Sequence, residues 1–442
     1  MLEIQPDRRS ELEVISLDVM VPSGHLLRKI DAVVDFSHIY DLTRPYYRED
    51  FGRPAADPVV LVKMAFLQHI YGIKSLRQTV KEVDMNMAYR WFLGFSFSSE
   101  VPHFSTLSTA FSTRFPDELF TKIFSWILEE IATKGFLSPK TVFIDATHIK
   151  ANANRKKRIK ILAEETARAY EKQLLEEINA ERAKEGKKPL DDEPPAPPLK
   201  EKTASTSDPD SGLFVKGEHK MEFAYSAHVA CDKNNFILSS VVTAGNVHDS
   251  VVFDEVYDKV TEQFPEVETV TVDAGYKTPW ICKKVLDDER NISTPYKRPQ
   301  GKEGYFRPAE YVYDEYYDCV LCPEDKVLER KSTSRDGYRQ FKSCTTECGE
   351  CSSKFKCTVS RTKTVLKHIW AEYIERAEDF RHSPEGKATY SLRSRTIERV
   401  FADAKEKHAM RYTFHKGLKR VTNWITMKFA AMNLKKLAMW AI

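Results

Sequence analysis

The chain lacks any segment that would place it in a membrane. Its 442 residues hold no run of about 18 uncharged apolar residues, the length a membrane helix needs. The apolar stretch near the end is interrupted by Lys428, Lys435 and Lys436. The opening residues, MLEIQPDRRSELEV, carry acids and no apolar core, so they do not read as a secretory signal. A cytoplasmic location is the expectation. A strong charge of either sign is also missing. The net charge is +3 and the pI near 8.2, which alone does not point to a polyanionic partner. Local basic clusters at Arg155–Arg158, Lys405–Arg411 and Lys416–Arg420 stand out, although such a cluster is most simply a solvated face. Cysteine is scarce outside one stretch: six of the eight lie between 319 and 357.

What is present suits a soluble globular chain of two or three domains, 42% hydrophobic and 30% charged. Residues 1–135 read as helical and as a candidate DNA-binding domain. Asp57-Pro58 gives an N-cap and a first-turn proline, and the helix it opens stops at Gly72. Ser75 opens LRQTVKEV, and MAYRWFLGF follows after Asp84-Met85-Asn86. That pair has helix-turn-helix spacing, but an ordinary bundle packed by Trp91, Phe92 and Phe95 is the favoured reading. HFSTLSTAFSTRF at 103–115 is a further candidate DNA-contacting helix.

Strand patterns begin at Thr141 and recur at 223–232, 236–245 and 267–273, with helices at Asp249–Gln263 and after Thr278. The first catalytic segment spans 136–299, with a charged insertion at 155–205. RIKILAEETARAYEKQLLEEINAERAKE is expected to be helical, with Leu162, Tyr170, Leu174 and Ile178 on one stripe, and DDEPPAPP to be a linker. Residues 300–365 form a cysteine-rich insertion. Residues 366–442 return to helices, ending in a stripe of Val421, Trp424, Ile425, Phe429 and Met432. The fold class is α/β: a mixed sheet with flanking helices, preceded by an all-α domain and interrupted by both insertions.

Three acids carry the chemistry. Asp145 and Asp273 end apolar runs that read as buried strands, and Glu398 lies on an amphipathic helix. Phosphodiester cleavage must activate an attacking oxygen and neutralise charge on phosphorus. Two divalent ions about 4 Å apart do both. Magnesium takes carboxylates and keeps positions for water and phosphate. Taken singly, each acid is more simply a turn former or a surface group. Arg395, Lys405 and Arg411 lie near Glu398 as candidate phosphate-binding cations. Asp249, in AGNVHDS, is a rival for the second acid, or a helix cap. His148 and His228 are structural or near-site candidates.

The stretches FIDATHIKANAN, TAGNVHDS, TVDAGYKTP and IERVFADAKEKHAMR resemble the bacterial insertion-sequence transposases of the DDE superfamily. The resemblance implies a ribonuclease H-like core and a Mg²⁺ (or Mn²⁺) site formed by Asp145, Asp273 and Glu398. It also implies double-stranded DNA as partner, at inverted-repeat ends and target. Because two ends must be joined, a homodimer is expected, with helix 418–440 one candidate contact. The family's Tyr-Arg-Glu-Lys signature fits Tyr390, Arg393, Glu398 and Lys405. Arg393 stands one residue too far from Glu398 for the signature, so Arg395 is an alternative. Rival readings are a metal-dependent nuclease without strand transfer and a non-catalytic DNA-binding regulator.

The cysteines form two CxxC pairs, Cys319/Cys322 and Cys348/Cys351, roughly 25 residues apart, a zinc-ribbon spacing. Zn²⁺ on those four is the expectation, with Cys344 and Cys357 as substitutes in the second pair. Free thiols in a loop are the alternative.

Overall fold

The computed structural model describes residues 7, 9–11, 14–48, 55–164, 170–190, 199–216, 220–296 and 301–441. The proline-rich linker expected at 191–198 lies outside them.

The first part is helical: α1 (Leu17–Met20), α2 (Leu26–Val33), α3 (His38–Thr43), α4 (Pro58–Ile70), α5 (Leu76–Met85), α6 (Met87–Leu93), α7 (Phe104–Thr109) and α8 (Asp117–Thr133). The caps are where local chemistry puts them. Asp57 accepts from Val59 N at 2.7 Å, Ser75 from Gln78 N at 3.2 Å, and Asn86 from Ala88 N at 2.9 Å. Helix α6 buries Tyr89, Arg90, Phe92 and Leu93, so most of this short helix faces the bundle rather than a groove of DNA.

The main sheet follows. Its strands are β1 (Thr141–Lys150), β2 (Arg158–Glu164), β3 (Leu199–Ser205), β4 (Gly212–Lys216), β5 (Lys220–Asp232), β6 (Ile237–Ala244), β7 (Thr269–Val272) and β8 (Asn291–Ser293). The path runs β2-β3-β4-β5-β1-β7-β8, and β6 also pairs with β5. Strands β7 and β8 run parallel to β1, while β5 is antiparallel to it. Helices α9 (Glu171–Lys184), α10 (Asp249–Gln263) and α11 (Pro279–Asp287) lie in the connections.

Here one expectation is corrected. Residues 158–164 are not the start of a helix; they pair antiparallel with β3, Arg158 opposite Ser205 and Glu164 opposite Leu199. The alternation Arg158, Ile159, Lys160, Ile161 already has the period of a strand, and a partner 40 residues away completes the ladder. Helix occupies only the later part of the insertion, where Leu174 and Ile178 are buried against Trp370.

The cysteine-rich segment is a second, five-stranded antiparallel sheet in the order β13-β12-β11-β10-β9. Its strands are β9 (Val312–Asp314), β10 (Cys319–Leu321), β11 (Val327–Thr333), β12 (Tyr338–Ser343) and β13 (Thr364–His368), with the one-turn α12 (Thr345–Gly349) between the last two. It has its own small core of Val320, Leu328 and Phe341. Glu181 of α9 ties it down by ion pairs to Arg330 at 2.7 Å and to Arg339.

The chain closes with α13 (Ala371–His382), α14 (Pro384–Ser391), α15 (Ile397–Glu406) and α16 (Leu418–Trp440). Helix α16 was a candidate dimer contact; the structure puts it inside the chain instead. It packs on α2, α4, α8 and β6. Eleven of its residues are buried, including Lys428 and Asn433, and a helix buried nearly all round is a core element. Asn433 accepts from Ile237 N at 2.9 Å and donates to Ile237 O at 2.8 Å, satisfying the edge of β6. One continuous core therefore joins the helical domain to the main sheet.

Candidate active site

Strand β1 is buried at Val142, Phe143 and Ile144, which centres it between β5 and β7. Its parallel register with β7 pairs Ile144 with Val272. The next residue on each strand is an acid, so Asp145 and Asp273 emerge side by side where β7 ends. Strand spacing of about 4.8 Å sets their separation in the backbone. Helix α15 buries Ile397, Val400, Phe401 and Ala404 and packs on β1 and β5. That docking presents Glu398, in its first turn, to the same place.

One cation draws the three acids together. The Arg393 guanidinium pairs with Asp145, lies 3.1 Å from Glu398 Oε1 and 3.8 Å from Asp273 Oδ1. Its side chain is 11% exposed; those of Asp273 and Glu398 are half-exposed. Its Nε is buried with no partner among the described residues. The doubt about Arg393 came from a signature that counts residues along the chain. The chain breaks here: a 3-10 turn at Leu392–Arg395 ends at Thr396, whose φ −109° and ψ −102° are non-helical, and α15 starts afresh. The break absorbs the additional residue. Arg393 therefore occupies the position for which Arg395 was the alternative.

Burial raises the Asp145 pKa to about 6, against the opposing pull of Arg393 and of a 2.8 Å hydrogen bond from Ala146 N. Tyr390 stands beside Arg393, and its hydroxyl pKa is raised, mainly by burial. Asp249 is a fourth acid of the neighbourhood. It opens α10, burial raises its pKa, and its charge acts on Asp145. His248, not Asp249, caps that helix. Buried His228 places Nδ1 3.7 Å from Asp249 Oδ1 and Nε2 3.0 Å from Thr243 Oγ1. Tyr276 buries a hydroxyl with no partner among the described residues, close enough to feel Asp249, Asp145 and Asp273. Nothing in the sequence distinguished Tyr276, because its role comes from the turn after β7. His148 is structural: it stacks on Phe214 at 3.6 Å and meets the Gly245 carbonyl at 3.2 Å.

The other expected cations lie further out. Arg395 is exposed, and its carbonyl accepts from Asn235 Nδ2 at 3.0 Å. Lys405 is half-buried on α15, and Arg411 is exposed and paired with Glu406.

Among the described residues, no three His, Cys, Asp or Glu side chains stand close enough to share one metal ion. Cys319, Cys322, Cys348 and Cys351 are therefore not gathered at one point among the described residues. Cys319 is buried on β10, Cys348 contacts the Ser343 hydroxyl at 2.9 Å, and the substitute Cys357 contacts the Tyr311 hydroxyl at 3.2 Å. Only Cys319 of the two CxxC pairs lies on a strand, and Cys322 and Cys357 both come near Tyr311. The acids differ: they already share one positive charge, and their donors are hard carboxylate oxygens. That set fits a divalent ion of the magnesium type once Arg393 withdraws.

Two family models match the chain. Residues 15–113 match the family described as Transposase domain (DUF772). Residues 321–438 match the Transposase DDE domain. The second stretch contains Arg393 and Glu398, while Asp145 and Asp273 lie between the two matches. No curated protein matches the sequence.

Proposed function

Starting from the family the two matches establish, that this chain belongs to the insertion-sequence transposases of the DDE superfamily, we propose that Asp145, Asp273 and Glu398 are its catalytic carboxylates. The observation that carries this reading is their convergence on one guanidinium from two adjacent strands and a helix. The β6-β5-β1-β7-β8 portion of the main sheet is the ribonuclease H-like core in this proposal, and the ion is Mg²⁺ or Mn²⁺.

Divalent ions held by these acids supply an activated attacking oxygen and charge neutralisation at phosphorus. The residues do the rest. Asp145 and Asp273, anchored by buried β1 and β7, hold their oxygens rigidly. Glu398 closes the third side from α15. Arg393, released from the acids, is positioned to pair with a phosphate oxygen of the DNA. In the first step, water oxygen bonds to phosphorus and the bond to the 3′ oxygen breaks. That oxygen takes a proton, leaving a 3′-hydroxyl and a 5′-phosphate. In the second step, the 3′-hydroxyl attacks a target phosphodiester, the new bond replaces the old one, and a target 3′-hydroxyl departs.

The helical domain would hold the element ends, and two copies of the chain would pair them. A plasmid-integration assay with Mg²⁺ tests the whole reading. Element ends covalently joined to target DNA are expected. Cut but unjoined ends would favour the nuclease, and binding without cutting would favour the regulator.

A further inference from the structure

Some exposed cations of this chain sit beside an acid. Lys160 pairs with Glu201 at 2.9 Å, Lys259 with Glu255 at 2.8 Å, Lys331 with Glu329 at 2.5 Å, and Lys407 with Asp403 at 2.9 Å. The turn between β1 and β2, with the first residue of β2, carries four in a row that do not. Arg155, Lys156, Lys157 and Arg158 are consecutive and exposed. No carboxylate among the described residues lies within ion-pair distance of any of them. Such a run has a self-repulsion that a disordered loop would relax by spreading out.

This turn is instead pinned. Asn154 Oδ1 accepts from Lys156 N at 2.9 Å, and Lys157 N donates to Asn154 O at 3.0 Å. From the other strand, Ser207 Oγ accepts from Asn154 N at 3.0 Å, and Thr206 N donates to Lys157 O at 3.1 Å. The backbone that carries the four charges is thus held in place.

The place is also informative. Strand β1 leads from Asp145 to this turn. The segment after α15, the helix of Glu398, comes to the same corner. Thr413 N donates to Lys150 O at 3.0 Å, and Asn152 bonds both the Phe414 carbonyl, at 3.0 Å, and the Tyr412 hydroxyl, at 2.8 Å. That segment adds Phe414, 56% exposed, and exposed Lys416. From Asp145 to Lys150 is roughly 16 Å along a strand, the rise of about five base pairs.

We propose that the 155–158 turn, with Lys416, is a phosphate-binding platform for duplex DNA flanking the reacting bond. It grips the backbone without reading bases and fixes the angle at which the duplex enters the carboxylate site. Its ligand is the regular array of phosphates on a rigid double helix, which cations carried on a pinned backbone match better than those on a mobile chain do. The proposal rests on the transposase reading, as it concerns the DNA presented to that site.

The test uses the full chain without divalent ion. Binding of a mixed-sequence duplex is followed by fluorescence anisotropy across a sodium chloride series. Three variants are compared with the parent: Lys156→Gln/Lys157→Gln/Arg158→Gln, its charge-keeping Lys156→Arg/Lys157→Arg counterpart, and Asp145→Asn. Loss of three contacts should flatten the slope of log affinity against log salt by about 2–3, since each phosphate contributes about 0.9. The affinity should drop about 10-fold or more at moderate salt, and the arginine variant should match the parent. Unchanged affinity and slope in the glutamine variant would overturn the platform. So would a loss that the arginine variant shares, which would mark a folding defect, or a loss seen only toward anionic vesicles. Normal binding by Asp145→Asn, with no cleavage of element-end duplex by the parent once Mg²⁺ is added, would strike the catalytic reading and leave this one standing.

Discussion

Two crowds of like-charged groups lie close together in this chain, and they resolve their repulsion in opposite ways. Asp145, Asp273 and Glu398 keep their place at the surface by sharing Arg393. About ten residues past Glu398, the chain enters a wholly different setting. His69 of α4, His415 of the loop after α15 and Lys428 of α16 surround Trp424, and His408 of the same loop joins them. Lys428 donates to the His408 carbonyl, and His408 Nδ1 meets the His69 carbonyl at 2.8 Å. Burial pushes Lys428 down to about 7 and His408 and His415 to about 4, and His69 well below its ordinary value. Burial drives the basic crowd toward its neutral forms; the acidic crowd gathers around a counter-charge. Both have perturbed pKa values, so perturbation alone does not mark an active site. Access does: the acids open to solvent, while the bases weld the helical domain to the catalytic helices. Gly72 shows how tight that weld is. Its φ is +65°, and a Cβ there would come within 2.8 Å of the Lys407 carbonyl.

The contrast can be broken from either side. The largest effect is expected at Asp145→Asn. Cleavage of a duplex carrying element ends should fall at least about 10³-fold, as for other single members of a catalytic set. The thermal midpoint should not fall. Equal cleavage by parent and variant would remove Asp145 from the chemistry.

Arg393→Gln probes the shared cation. Without metal, three acids lose their common partner, and unfolding should come about 1–3 kcal/mol sooner, the range for hydrogen bonds to charged groups. Added Mn²⁺ should restore more stability to this variant than to the parent, because it no longer displaces an arginine. Denaturant melts with and without Mn²⁺ measure both; equal Mn²⁺ gains in the two proteins would show that Arg393 does not compete with the ion.

The two regions should also respond to pH with opposite sign. His408 and His415 have folded pKa values near 4, below the ordinary 6.5. The unfolded chain therefore binds more protons between those values. Stability contributed here is present above about pH 6.5 and is lost as pH falls toward 4. Asp145 has a folded pKa near 6, above the ordinary 3.8. Its contribution is lost as pH rises through 6 and present in full below 3.8. Replacing His415 by Gln should reduce the acid loss by about 1–3 kcal/mol near pH 4.5, read from unfolding midpoints across a pH series. An unaltered acid slope would mean that His415 is not buried neutral.

Lys428→Met should have the smallest effect. Replacing a buried base by an apolar chain of similar length is expected to shift stability by less than about 1.5 kcal/mol near neutral pH and to leave DNA cleavage within a few-fold. A large loss of cleavage with stability intact would give the basic cluster a role in the chemistry.

The sequence revealed much of the acidic side and almost none of the basic one. Apolar runs ending in Asp145 and Asp273 were visible because strand burial imposes them, and Glu398 because its helix has a clear apolar face. Arg393 was named but doubted because the signature counts residues along the chain, whereas the 3-10 turn and the break at Thr396 set where its side chain lies. Residues 158–164 misled because a strand whose partner is distant competes with strong local helix propensity. CxxC spacing describes separation along the chain only, and the four thiols are not gathered at one point among the described residues. The basic cluster was illegible because it draws on positions from 69 to 428, each unremarkable where it stands in the sequence. Helix α16 looked like an amphipathic contact helix because its inward lysine and asparagine read as an outward face.

The central claim is that Asp145, Asp273 and Glu398 hold a divalent ion. It can be tested directly by loading the full chain with Fe²⁺ in place of Mg²⁺ and adding peroxide and ascorbate, so that radicals made at the ion cut the nearby backbone. Mass spectrometry of the fragments should place the cuts around residues 145, 273 and 398, and an excess of Mg²⁺ should suppress them. Cuts confined to other regions, or cuts at these sites that persist in Asp145→Asn, would contradict it.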